Sequence, residues 1–64
     1  MNKEKIAIYF GLKTDEEIKK VFRLNELKTI FEEFKGSVVL VHYSKKDFIS
    51  RIRGFIQDGN YITA

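Results

Sequence analysis

From Val38 to Ala64 the charged residues are Lys45, Lys46, Arg51 and Arg53 against only Asp47 and Asp58, and Asn60-Tyr61 follows closely. Cations near aromatic rings suit a polyanion. Ammonium and guanidinium groups neutralise phosphates, and flat side chains let bases stack, each stack worth about 1–3 kcal/mol. The plainer reading of Arg51 and Arg53 is a solvated outer face. The acids gather elsewhere, in Asp15-Glu16-Glu17 and Glu32-Glu33. Acid–base catalysis needs paired groups of tuned pKa, and these runs read instead as solvated charge. His42 has Tyr43 and Ser44 beside it, but neighbours on a strand point to opposite faces, so it reads as a strand-end residue with an ordinary hydrogen bond. Gly11, Gly36, Gly54 and Gly59 are too scattered to cradle a phosphate. One histidine and no cysteine argue against a structural zinc site. A non-enzyme is expected, with no cofactor, no metal and no small-molecule substrate.

The chain that must position these groups has 64 residues, so it reads as a single domain, 1–64. A domain this small buries only about 60% of the surface its unfolded chain exposes. Yet 44% of its residues are hydrophobic and six are Phe, a heavy load for so little interior. A homo-oligomer is therefore expected. The net charge is +3 and the pI about 9.3, which fits a polyanion partner without demanding one. The first residues lack a secretory-signal pattern and the apolar runs fall far short of a bilayer span, so a cytoplasmic protein with no membrane partner is expected.

Lys5 to Leu12 reads as a strand, with Ile6, Ile8 and Phe10 alternating with Ala7 and Tyr9. Glu17 to Leu24 reads two ways. As a strand it places Ile18, Phe22 and Leu24 on one face. As a helix it has a capping box, Thr14 with Glu17, and a shared face of Ile18, Val21 and Phe22. The strand is preferred, because the apolar phase slips between Leu24 and Leu27 if one helix is run through to Lys35. Asn25 to Lys35 is a helix: Asn25 suits the N-cap, Leu27, Ile30, Phe31 and Phe34 recur at helical spacing, and Gly36 is the left-handed stop. "SVVLVHYSK" reads as a strand buried on both faces. "FISRIRGFI" alternates Phe48, Ser50, Ile52 and Gly54 against Ile49, Arg51 and Arg53, with Gly54 marking a bend. Asp58-Gly59 signals a hairpin, and Tyr61-Ile62-Thr63 the returning strand. The order β-β-α-β-β-β implies an α+β, mostly β protein: a small five-stranded barrel of SH3 or Sm-like type with one helix.

From Asn25 to Ala64 this order resembles the Sm-like (Hfq) family. The matching residues are Gly54 in a bent strand, Ile56, Asp58 in the turn, and Asn60-Tyr61. The resemblance implies a non-enzymatic, RNA-binding ring, with Asn60 and Tyr61 holding a base, Asp58 in the loop, and Lys45, Lys46, Arg51 and Arg53 near the RNA backbone. The loop is shorter than the family's. The family's last two strands would have to come from Lys5–Leu12 and Glu17–Leu24, a circular permutation. The basic signature between those strands is missing, since Lys13-Thr14-Asp15-Glu16-Glu17 is acidic.

Two other classes stand beside this one. With Thr14–Leu24 helical, two helices and a hairpin resemble a winged helix that binds DNA, with Lys19, Lys20, Arg23 and Lys28 toward phosphate. A small phage- or plasmid-type protein-interaction module also fits a short, Lys- and Ile-rich chain.

Overall fold

The structure is a computed structural model and describes residues 2–59. Four helices account for its regular elements: α1 (Lys3–Leu12), α2 (Asp15–Val21), α3 (Leu24–Lys35) and α4 (Lys45–Asp58).

Each helix begins where a side chain satisfies backbone N–H groups that the first turn leaves without partners. Asn2 Oδ1 accepts from the Lys5 N–H at 3.1 Å and opens α1. Thr14 and Glu17 make a reciprocal capping box at α2: Thr14 Oγ1 accepts from the Glu17 N–H at 3.2 Å, and Glu17 Oε1 accepts from the Thr14 N–H at 3.0 Å. Ser44 and Asp47 repeat the arrangement at α4. At α3 only half of it exists. Glu26 accepts from the Arg23 N–H at 2.8 Å, and an arginine side chain has no acceptor to return. Gly36 and Gly59 end α3 and α4 at φ 80° and 71°, left-handed values that suit glycine.

The core forms around α4. Phe48, Ile49 and Ile52 are buried on one stripe, with Phe55 and Ile56 half-buried beside them. Against that stripe lie Leu27, Ile30, Phe31 and Phe34 of α3, Ile18 of α2, Phe10 of α1 and Val39 of the connection. Aromatic rings fill the α3–α4 seam: Phe31 lies 5.8 Å from Phe48 and 5.7 Å from Phe55, centroid to centroid. Residues 37–44 join α3 to α4 without helix. Val39 alone of their aliphatic side chains turns inward, and its N–H donates to Glu32 Oε2 at 2.9 Å.

The five-stranded Sm-like barrel is therefore corrected to an all-helical fold: no strand occurs among the described residues. Lys5–Leu12 lies in α1. Nearly every side chain from Ile6 to Phe10 is apolar, so periods of 2 and 3.6 fit equally well, and the Asn2 cap decides between them. Glu17–Val21 lies in α2, on the capping box that the strand reading set aside. "FISRIRGFI" lies in α4. Its buried residues 48, 49 and 52, continued by 55 and 56, follow i, i+1, i+4, i+7, i+8, a helical stripe that alternation mimics only at every second position. Asp58-Gly59 ends that helix and makes no hairpin. "SVVLVHYSK" is unpaired connection leading into α4, and Tyr61–Thr63 lies outside the described residues. The helix expected with its N-cap at Asn25 and its last residue at Lys35 is present as α3, shifted two residues earlier at its start, with Arg23 as N-cap.

Two outcomes follow from this local structure. Gly54 sits inside α4 with nothing within 4 Å of where a Cβ would stand, so no close approach requires it. Gly54→Ala should stabilise the protein by about 0.5–1 kcal/mol in urea unfolding; a loss of stability would contradict a helical Gly54. Glu17 is held below its ordinary carboxyl value, first by the Thr14 backbone N–H, then by the Thr14 hydroxyl, with Lys13 adding a little. A depressed folded pKa contributes stability that is present above the unfolded value and is lost as pH falls through the folded one. In an NMR titration Glu17 should protonate below its ordinary pKa, and Thr14→Ala, which removes the hydroxyl but keeps the backbone N–H, should return it only part of the way.

Candidate nucleic-acid interface

Arg53 is expected to face a phosphate backbone; the structure gives it other work. Its guanidinium donates from Nε to Asp15 Oδ1 at 2.7 Å, from Nη1 to the Phe10 carbonyl at 2.8 Å and from Nη2 to the Lys13 carbonyl at 2.9 Å. It also lies 5.8 Å from the centre of the Phe10 ring. The planar fork thus closes the carbonyl end of α1 and holds the first acid of α2 from a position on α4. Its role is to staple three helices.

Lys45 is committed in a different way. Its Nζ donates to the Lys19 carbonyl at 2.9 Å, in the last turn of α2, where the helix dipole favours a cation. That bond joins residues 26 apart in sequence and brings two lysine pairs, Lys19-Lys20 and Lys45-Lys46, to one end of the molecule. Arg23 follows two residues after α2. Lys20, Arg23 and Lys46 are exposed, and Lys19 and Lys45 half-buried. Lys19 also meets Glu16 at 3.4 Å, an exposed pair of small energetic weight.

Of the acids near this end, Asp47 accepts from the Ser44 N–H at 3.5 Å and Glu26 from the Arg23 N–H, while Glu16 pairs with Lys19. Lys28 stands apart on α3, beside Leu24, Leu40 and His42 in a shallow cavity of about 270 Å³.

Arg51 occupies the opposite flank of α4. Its guanidinium carbon stands 4.4 Å from the centre of the Tyr43 ring, in a groove of about 370 Å³ that Phe31, Lys35, Phe55 and Asp58 also line. Lys35 lies 6.0 Å from the Phe31 ring centre. Cations already cover these aromatic faces, so a base would have to displace Arg51 to stack on Tyr43. Asp58 closes one end of the groove as the last residue of α4. Asn60 and Tyr61 lie outside the described residues.

Of the expected site residues, then, Lys45 and Lys46 stand together, Arg51 and Asp58 share a separate groove, and Arg53 serves the core. Lys19, which Lys45 reaches, has Lys20 beside it in the last turn of α2 and Arg23 just beyond that helix. They belong to the helical alternative for Thr14–Leu24, and the capping box was the signal for it. Among the described residues no group of three or more His, Cys, Asp or Glu is placed to hold a metal ion. None of the described helices is long and apolar enough to cross a membrane.

No family model, curated protein or solved structure matches this chain.

The staple yields its own test. Arg53→Lys keeps the charge but loses the planar fork, and should destabilise the protein by about 1–3 kcal/mol in urea. An unchanged midpoint would show that the three-way bond carries no stability.

Proposed function

We propose that this protein is a non-enzymatic nucleic-acid-binding domain whose basic end, built from Lys19, Lys20, Arg23, Lys45 and Lys46, contacts the phosphodiester backbone. The observation that carries the reading is the Lys45–Lys19 hydrogen bond, which gathers sequence-distant lysine pairs onto one surface. The net charge of +3 supports it.

Lys20, Arg23 and Lys46 are the principal phosphate contacts, since Lys19 and Lys45 have bonds of their own to keep. Ammonium and guanidinium groups on phosphate position a chain without reading its bases, so sequence tolerance is expected. Each neutralised phosphate releases condensed counterion. With three contacts the slope of log affinity against log salt should be about −2 for a single strand and about −3 for a duplex. RNA and DNA share the chemistry recognised here, and the slope separates a single strand from a duplex.

The Sm-like ring is not retained, because the barrel that would carry it is absent from the described residues. The winged-helix alternative keeps its helices and loses its wing, since α4 replaces the hairpin.

Fluorescence anisotropy with labelled single-stranded RNA and duplex DNA, both of mixed sequence, tests the proposal. Binding should appear at low salt and weaken along the slopes given. The triple variant Lys20→Ala, Arg23→Ala, Lys46→Ala should abolish it while keeping the far-UV circular dichroism. Lys3→Ala, on α1, should change little. No binding of either probe at low salt would end the proposal, as would undiminished binding by the triple variant.

A further inference from the structure

Arg51 and Arg53 lie on one helix, two residues apart, and are used in opposite ways. Arg53 commits its fork to three acceptors of the protein. Arg51 makes no hydrogen bond or ion pair among the described residues. Its guanidinium lies instead on the Tyr43 ring, 4.4 Å from the centre. That ring is itself anchored edge-on, 5.4 Å from Phe48 and 6.2 Å from Phe31. The fork is thereby held in place while the side chain stays exposed.

The groove that Arg51 borders adds three matching features. Lys35, also without a hydrogen bond or ion pair among the described residues, stands on the α3 side. Phe55, half-buried, supplies an apolar wall. Gly54 leaves empty the space where a side chain would project, with nothing within 4 Å of a Cβ position. A glycine inside a helix lowers stability, and room for a ligand against the backbone is one use of such a position.

We propose that this groove binds a small monocarboxylate carried on an apolar, ring-sized body. The planar fork of Arg51 matches a carboxylate through two parallel N–H···O bonds, and Lys35 adds a second positive charge. The apolar body then lies over Gly54 against Phe55. Two cations against the one carboxylate of Asp58 leave a single positive charge in excess, which suits a monoanion. Asp58 also sets a like charge in the path of any run of phosphates along the groove. The site is therefore separate from the basic end and does not rest on the nucleic-acid reading. Its volume of about 370 Å³ lies toward the lower end of small-molecule sites, so a ligand of one ring is the right size. For so few atoms an affinity in the millimolar range is expected.

Titration of the full chain, free of nucleic acid, with phenylacetate tests this, read by backbone and arginine side-chain NMR. Saturable shifts are expected at Gly54, Phe55 and the Arg51 Nε–H. Phenylacetamide lacks the charge and acetate lacks the ring, and each should bind about tenfold more weakly or not at all. Inorganic phosphate should not displace phenylacetate. Arg51→Gln removes the fork and Gly54→Leu fills the space, so both should abolish saturation. Leucine is a strong helix former at an open position, and the far-UV spectrum of Gly54→Leu should stay native. Lys5→Gln, at an exposed position on α1, should bind as the wild type does. Shifts that stay linear to the highest concentration would overturn the proposal. So would equal binding of the amide, displacement by phosphate, or undiminished binding by either groove variant.

Discussion

The fold depends on one stripe of α4. Phe48, Ile49 and Ile52 supply the surface on which α1, α2 and α3 each pack, and α4 is the element that all three contact. Burying an isoleucine completely contributes about 1.5–3 kcal/mol, and Ile49 and Ile52 are both fully buried. In a domain of marginal stability these few side chains therefore set whether the other helices have any tertiary reason to persist. Arg53, one residue beyond Ile52, extends the same dependence to polar groups. It reaches from the stripe's edge to tie the end of α1 to the start of α2.

Part of this was legible in the residues. The α3 helix could be read because its apolar spacing is unambiguous and its glycine stop stands at the right distance. The α4 segment is ambiguous in sequence because "FISRIRGFI" satisfies alternation at Phe48, Ser50, Ile52 and Gly54 while also satisfying a helical stripe. The deciding residues lay outside the run, in Ser44 with Asp47 at one end and Gly59 at the other. A glycine mid-segment suggests a strand bend, yet around Gly54 there is open space. For α1 the apolar density erased the periodic signal altogether. For α1 and α4 the cap carries more information than the hydrophobic pattern.

The basic surface was partly legible for the same reason. Lys45 and Lys46 could be named as candidates, but their neighbours depended on whether Thr14–Leu24 was helix or strand. Arg53 could not be told from Arg51 by type or spacing. Only tertiary structure shows that one closes a helix end and the other lies on a tyrosine. The acids are likewise placed by tertiary and local structure: Glu17, Glu26 and Asp47 accept from backbone donors, and Asp15 is held by Arg53.

The position of α4 along the chain has a consequence for synthesis. Translation delivers α1, α2 and α3 before the helix that holds them together, so these three leave the ribosome with their apolar faces uncovered. Only once Ile52 and Arg53 have emerged can the first ten residues find their place. The four helices can therefore assemble only after α4 has emerged, because it is the element on which the other three pack.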